Sequence, residues 1–207
     1  GGQHHLKRLP APAHWPVHRK EFRWVVKPSP GPHMVGRCLP LLLIVRDMLK
    51  LAKTRREARF LLSEGQIKVD GSVRRGDDYP VGLMDVVEIP STKKAYRVLP
   101  SPSKGLVLHP ITGDETEFKL CQIVNKTMVK RGYIQLNLHD GRNILLKVKD
   151  ARNPAEDVYE THDTVKVQLP NTEISAHLKL EEGVLAVVTG GKNVGDFGEV
   201  VKIEEME

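Results

Sequence analysis

Residues 54–75, TRREARFLLSEGQIKVDGSVRR, predict a short helix, a glycine turn and a β-hairpin, around which the rest of the chain is organised. Thr54 is followed three residues later by Glu57, a capping box in which the two side chains satisfy backbone donors at the start of a helix. Ala58, Leu61 and Leu62 have the spacing that buries one helix face. The helix should therefore begin at Thr54 and end at a glycine turn.

The glycine of that turn is Gly65, and residues 66–69 then alternate like a strand up to Asp70-Gly71, a strong hairpin turn signal. The helix and the hairpin both carry cations, which are Arg55, Arg56, Arg59, Lys68, Arg74 and Arg75. A solvated charged face is one interpretation of the helix arginines, but cations on both elements favour a surface that binds RNA phosphates. The stretch resembles the αL-type RNA-binding motif, which implies RNA without specifying which RNA.

The overall composition supports a polyanionic partner. The 207 residues carry a net charge of +6, with a pI near 9.3, 5% aromatic residues and a mean hydropathy of −0.33. The charge is uneven, because residues 1–75 carry +11, residues 76–150 carry +2 and residues 151–207 carry −7. Such a chain can place its basic end on nucleic acid while the acidic end faces solvent or protein.

Cysteine usage and hydropathy indicate the cellular setting. Cys38 and Cys121 stand alone in sequence, so we expect two buried thiols in a reducing cytosol. The longest apolar run, residues 41–45, is far shorter than the roughly 20 residues of a membrane span. A cytoplasmic protein with no membrane partner is therefore expected.

The first 40 residues hold half of the chain's 14 prolines and predict an extended basic arm. Two tryptophans, Trp15 and Trp24, alternate with cations, so rings could contact bases while charges bind phosphates. The alternative is a tail whose tryptophans dock on the protein's own body. His14 and His18 are not expected to bind metal, since Pro16 lies between them. The arm cations are Lys7, Arg8, Arg19, Lys20, Arg23 and Lys27.

Residues 41–51 predict a second helix that packs on the first and completes an RNA-binding domain over residues 41–90. Within that domain, residues 76–84 are expected to form a polar connection and residues 85–89 a strand. Serine, lysine and proline in residues 91–104 indicate a domain boundary.

A central β domain is predicted over residues 95–175, with no long helix. Its strand candidates are residues 105–109, 118–128, 133–138, 143–148, 164–169 and 173–180. Residues 176–207 contain two apolar runs around a glycine-rich loop. Asn193 follows Lys192 where a phosphate-binding P-loop needs Ser or Thr, so that motif is absent. The spacing of Gly191, Gly195 and Gly198 resembles the KOW motif, which implies a small β-barrel.

Longer segments resemble one family across essentially the whole chain. The chain is similar to the archaeal and eukaryotic, e-type form of small-subunit ribosomal protein four, more closely to an archaeal member. The segments are HLKRLPAP (5–12), HWPVHRKEFRWVVKPSPGPH (14–33), LPLLLIVRDMLKLAKTRREARFLL (39–62), VDGSVRR (69–75), YPVGLMDVVEIP (79–90) and VTGGKNVGDFG (188–198). The resemblance implies an α+β, multi-domain structural protein that binds small-subunit ribosomal RNA beside neighbouring ribosomal proteins.

On this interpretation the helix and hairpin cations bind phosphates, and the arm threads between RNA helices. With no core of its own, the arm should order only on the ribosome. We expect little base recognition, since RNA helices are recognised mostly by shape. No catalytic residue, metal, cofactor or small-molecule substrate is expected, because Asp114, Glu115, Glu117, His139 and Asp140 lie in turn-like, solvated settings. The alternatives are an RNA-modifying enzyme and a KOW-type transcription-elongation adaptor.

Overall fold

The computed structural model describes residues 5–102, 105–148 and 157–204. Few helices and several antiparallel sheets form in these ranges, which confirms the mixed α+β class. The strands are β1 Leu6–Lys7, β2 Trp24–Val25, β3 Cys38–Pro40, β4 Lys68–Val69, β5 Ser72–Val73, β6 Pro80–Gly82, β7 Val86–Ile89, β8 Lys94–Ser101, β9 Gly105–Ile111, β10 Phe118–Met128, β11 Ile134–Leu138, β12 Asn143–Leu146, β13 Thr164–Gln168, β14 Ile174–Leu178, β15 Leu185–Val187 and β16 Phe197–Glu199.

Two helical segments build the N-terminal core. The first, α1, spans Leu41–Leu43 and continues as a wider π-helical turn over Ile44–Met48. It ends earlier than the expected residue 51, because Lys50 adopts a φ of +54° that no helix can continue through. Together α1 and the π-helical turn bury five consecutive apolar residues, 41–45, rather than a single stripe.

The second helix, α2, spans Arg55–Ser63 and begins as the sequence predicts. The backbone N–H of Glu57 donates to Thr54 Oγ1 at 3.2 Å, and the backbone N–H of Thr54 donates to Glu57 Oε2 at 3.4 Å. Ala58 and Leu62 are fully buried. Gly65 has a φ of +74° and turns the chain toward the hairpin. The capping box, buried face and terminating glycine are all confirmed.

The hairpin belongs to a five-stranded antiparallel sheet with the order β5-β4-β7-β8-β9. Asp70 and Gly71 have φ values of +50° and +73°, the left-handed pair that a tight two-residue hairpin turn requires. The predicted polar connection over residues 76–84 is wrong in part, since β6 is buried there and pairs with β3.

The expected boundary at residues 91–104 falls inside this sheet. The eight-residue β8 pairs with β7 on one side and β9 on the other. The boundary is predicted from the prolines, lysines and serines of residues 91–104, but β8 runs through most of that stretch. Pro110 is tolerated because β9 is the edge strand, where a missing N–H interrupts no second ladder.

The second five-stranded sheet has the order β12-β11-β10-β13-β14 and matches the β strands predicted beyond residue 117. The long strand β10 pairs with β13 over its first half and with β11 over its second. A bulge between Ile123 and Asn125 interrupts the β10–β11 ladder, close to the point where β10 changes partner, and bends the sheet into a half-barrel. Its core contains Cys121, Ile123, Ile134, Leu136, Leu138, Val148, Val165 and Val167.

The C-terminal segment is simpler than the expected barrel. Among the residues that the structure describes, β15 and β16 form a two-stranded hairpin without further strands. Leu185 is 67% exposed and Phe197 is 76% exposed, so these apolar side chains close no core of their own. The expected start of this domain at residue 176 also falls within β14.

The arm is packed onto the protein, which corrects the expectation that it lacks a core. Trp15, Val17 and Val26 belong to the same apolar cluster as α1 and α2. β1 and β2 pair within the arm. Farther along, a Cβ placed on Gly82 would lie 2.3 Å from the His33 ring, so glycine is needed there for the arm to approach β6.

Candidate RNA-binding interface

Helix α2 presents its cations on the side opposite its buried face. Arg56 and Arg59 are exposed, as predicted. Arg55 is also largely exposed, but its Nε donates to Asp77 Oδ2 at 2.7 Å. Part of the Arg55 charge is therefore neutralised, and Arg56 and Arg59 are the stronger candidates for phosphate contact.

The hairpin adds cations beside the helix. Arg75 is exposed and Lys68 is half-buried. The guanidinium of Arg74 lies over the Tyr79 ring, 4.6 Å from its centroid. Its Nε is buried and finds no acceptor among the residues that the structure describes. A buried donor without an acceptor costs free energy, so the Arg74 Nε–H is suited to donate a hydrogen bond to a ligand oxygen.

Two adjoining clefts connect these elements to the arm. A cleft of about 260 Å³ lies between the arm and the helical core and includes Trp24, Arg46 and Arg55 in its walls. A second cleft of about 460 Å³ includes Arg74 and Arg75. Asp78 lines both, so the two clefts are adjacent. The fold thus brings cations from the arm, α2 and the hairpin along one groove.

Two arm residues predicted to contact RNA are instead structural. Arg8 is only 8% exposed, and its Nε donates to the carbonyl of Val17 at 2.7 Å. Trp15 is 2% exposed, and its indole N–H donates to the carbonyl of Cys38 at 2.8 Å. The prediction of RNA contact is wrong for both, because each side chain satisfies its polar group inside the fold.

The other arm residues selected from the sequence lie at the protein surface. Trp24 is 51% exposed, with Lys7 Nζ 5.7 Å and the Arg23 guanidinium 5.5 Å from its ring centroid. Arg19, Lys20 and Lys27 are exposed. Phe22 and Arg46, which the sequence argument did not select, also meet at this place, with the guanidinium 5.1 Å from the ring.

The C-terminal loop lies elsewhere. Lys192 is exposed and lines neither cleft. Gly191 and Gly195 have φ values of +87° and +92°. A Cβ on Gly195 would lie 2.7 Å from the Pro102 ring, whereas one on Gly198 would meet nothing within 4 Å. Gly195 therefore has a packing role.

A buried ionic cluster, which the sequence argument missed, joins the two sheets. Lys119 is 1% exposed and places its Nζ 3.0 Å from Asp70 Oδ2 and 3.0 Å from Asp140 Oδ2. It also bonds the carboxylate of Asp85. Arg142 bonds Asp70 at 2.7 Å and Asp140 at 3.2 Å. The expectation of a solvated Asp140 is wrong, since β10 carries Lys119 directly against it.

The charges in this cluster hold one another in place. Burial would raise the pKa of Asp85, but Lys119 and the hydrogen bond with His33 outweigh burial and hold that pKa well below its usual range. Burial and repulsion from Asp85 raise the pKa of Asp70. Burial would lower the pKa of Lys119, but the carboxylates around it raise that pKa above its ordinary value. Lys119 is thus a permanent internal cation.

The cluster has a structural role in the described fold. None of its residues lines either cleft. Within the described ranges no group of His, Cys, Asp and Glu is arranged to hold a metal ion. Burial raises the pKa of the Cys38 thiol to about 12 and also raises that of Cys121, so both cysteines are buried, protonated thiols. In the same part of the chain, no helix is long and apolar enough to cross a membrane.

Family models match three successive ranges of the chain. The RS4NT (NUC023) domain matches residues 1–35, the S4 domain matches residues 40–87, and the ribosomal family S4e matches residues 92–174. An S4 domain with cations on both helix and hairpin defines the class as an RNA-binding protein. Within that class, the chain belongs to the ribosomal family S4e.

Relatives extend over nearly the whole chain. Small ribosomal subunit protein eS4 of Staphylothermus marinus is 56% identical over 205 residues, 99% of this chain and 81% of the relative. The protein of the same name from Methanocaldococcus jannaschii is 50% identical, over 99% of this chain and 83% of the relative. The crystal structure of 30S ribosomal protein S4e from Thermoplasma acidophilum has a TM-score of 0.70 at 34% identity, over 83% of this chain and 84% of that one.

Proposed function

We propose that the chain is a structural constituent of the small ribosomal subunit, where it binds small-subunit ribosomal RNA and packs against neighbouring ribosomal proteins in the cytoplasm. The names of its relatives support this role. The observation that carries the proposal is the groove formed by the two adjoining clefts, along which cations of three elements converge. The protein acts by holding RNA in place, without a cofactor or a small-molecule substrate.

RNA binding is mostly electrostatic, both in this groove and on the exposed face of α2 beside it. Arg75 in the groove, and Arg56 and Arg59 on the exposed face of α2 outside the clefts, bind phosphates, each displacing condensed counterions. Arg74 donates its buried Nε to a phosphate oxygen. Lys68 and the arm cations Lys7, Arg19, Lys20, Arg23 and Lys27 extend the contact. Because phosphate contacts carry no sequence information, this surface fixes position and orientation on folded RNA.

The finer organisation belongs to the same proposal. An arm over residues 1–40, an αL-type domain over 41–90, a β domain over 95–175 and a KOW-type segment over 176–207 follow one another along the chain. The matched model ranges 1–35, 40–87 and 92–174 support the first three. The left-handed glycines of the C-terminal loop support the last, and Lys192 at that loop supplies a separate phosphate contact.

The test is the salt dependence of ribosomal RNA binding. Replacing Arg56 and Arg59 together by alanine removes two phosphate contacts, so the log-log slope of affinity against salt should fall by roughly 1.4 to 1.8. Filter binding of a small-subunit ribosomal RNA fragment at several salt concentrations measures this slope.

A control variant with the same change in net charge distinguishes the loss of phosphate contacts from the loss of overall positive charge. The double variant Lys147→Ala/Lys179→Ala removes two exposed cations near the second sheet and should leave the slope nearly unchanged. Equal slopes for the Arg56/Arg59 variant and the unaltered protein would exclude helix α2 as the RNA-binding face.

A further inference from the structure

The cleft between the arm and the helical core differs from an ordinary phosphate surface in having aromatic walls. Phe22 is 42% exposed and Trp24 is 51% exposed, although both lie beside a core that could have buried them. Each ring has a cation close to it, with Arg46 beside Phe22 and Lys7 and Arg23 beside Trp24. Exposed rings held next to cations are suited to a planar, partly charged ligand.

The size of the cleft limits which ligands can enter it. Its volume of about 260 Å³ lies just below the range of about 300 to 1,000 Å³ typical of pockets for drug-sized molecules. A single planar heterocycle fits such a space, whereas an RNA double helix cannot enter it. The carboxylate of Asp77, which already accepts from Arg55 at 2.7 Å, provides a hydrogen-bond acceptor in the wall. Exocyclic amino groups of bases are donors of the matching kind.

We infer that this cleft binds one unstacked base of ribosomal RNA, with the base against Trp24 and Phe22 and its flanking phosphates on Lys7, Arg23 and Arg46. The inference rests on the proposed function and adds base contact to it. Paired bases keep their faces inside the helix stack, so the ligand comes from a single-stranded loop or bulge. Base stacking on an aromatic ring contributes enough binding energy to make this contact measurable.

Tryptophan emission tests this inference, because the two tryptophans differ in exposure. Trp15 is 2% exposed and hydrogen-bonded inside the fold, so ligand-dependent changes in tryptophan emission come from Trp24. We expect an eight-residue single-stranded oligocytidine to quench this emission, and an RNA duplex of the same length to leave it nearly unchanged. Trp24→Ala should weaken binding of the oligocytidine by about 5-fold to 150-fold, the effect of losing one stacked base. Trp24→Phe should retain most of the affinity.

Two controls distinguish loss of the cleft contact from loss of folding and from RNA binding elsewhere on the protein. In Trp24→Ala, Trp15 is the remaining tryptophan, and its blue-shifted emission reports that the arm is still packed. Phe197→Ala removes an exposed aromatic ring from the C-terminal hairpin and should not change oligocytidine affinity. If the proposed function fails, the unaltered protein binds no ribosomal RNA fragment.

If only the inference fails, ribosomal RNA binding persists and Trp24→Ala binds oligocytidine as tightly as the unaltered protein. Equal quenching by single-stranded and duplex RNA would also overturn it. A third result would also overturn the inference. If a neighbouring ribosomal protein shielded Trp24 from solvent while the oligonucleotide left the Trp24 emission unchanged, the cleft would be a site of protein contact.

Discussion

Lys119 shows how much one side chain contributes when its charge is buried between two sheets. Its ammonium group is 1% exposed and contacts the carboxylates of Asp70, Asp85 and Asp140. Asp70 and Asp85 come from the first sheet region, whereas Asp140 follows β11 in the second. Removing the cation would leave three carboxylates close together, with Arg142 and His33 as the remaining salt-bridge partners in the described fold.

We predict that Lys119→Met lowers the free energy of unfolding by about 3 to 5 kcal/mol, the usual cost of removing one partner from a buried ion pair. Urea-induced unfolding, followed by tryptophan emission, measures the loss. Lys126→Met is the matched control on the same strand, since its pair with Asp157 is partly exposed and should contribute at most about 1 kcal/mol. Similar losses in the two variants would show that the cluster has no special role.

For single residues, the sequence predicts roles that depend on neighbouring positions and misses contacts between residues far apart in the chain. Asp70 was recognised as a turn residue, because the Asp-Gly pair is a local signal. Its bonds with Lys119 and Arg142 cross 49 and 72 residues of chain, and no spacing rule predicts such contacts. The predicted RNA contacts of Arg8 and Trp15 are wrong for the same reason, since their acceptors at Val17 and Cys38 are defined by packing.

Among the elements, α2 depends most visibly on its first turn. Thr54 Oγ1 accepts from the backbone N–H of Glu57, and the Glu57 carboxylate accepts in return. Glu57 is exposed, and hydrogen bonds from the backbone N–H groups of Lys53 and Thr54 hold its pKa below the usual value. The cap therefore stays ionised and intact at neutral pH.

We predict that Thr54→Ala lowers the free energy of unfolding by about 1 kcal/mol, because one backbone donor at the helix start loses its acceptor. Urea unfolding again provides the measurement. The control is Ser63→Ala at the other end of the same helix, where the hydroxyl only donates back to the carbonyl of Phe60. That variant should change stability by less than about 0.5 kcal/mol. A Thr54→Ala variant as stable as the control would contradict the capping role.

The accuracy of element prediction followed the strength of local signals. The start and end of α2, the hairpin turn and the alternating strands of the second sheet all have short-range signatures in sequence. β6 and β8 lack them, because β6 contains Pro80 and Gly82, and β8 ends in Pro100-Ser101. Their strand structure comes from pairing with distant partners, which propensity cannot reveal.

Across the whole molecule, the arm contacts the RNA-binding domain of residues 41–90 and both five-stranded sheets. A Cβ on Gly105, in β9, would lie 2.4 Å from the side chain of His14. A Cβ on Gly141, in the turn between β11 and β12, would lie 3.3 Å from the carbonyl of Pro32. His33 reaches Asp85 in the buried cluster. The groove for RNA is therefore assembled within the protein, since the arm forms one of its walls.

This arrangement predicts that the arm is ordered before any RNA binds. The indole N–H of Trp15 should exchange with solvent about 100-fold or more slowly than that of Trp24, because exposing Trp15 requires the arm to leave the core and break the bond to Cys38. NMR hydrogen exchange on the two indole resonances of the free protein measures both rates in one sample. Urea at a denaturing concentration is the internal control, since the two rates should then converge. Equal rates in the folded protein would mean that the arm opens freely and packs only on RNA, and the clefts would then form on binding.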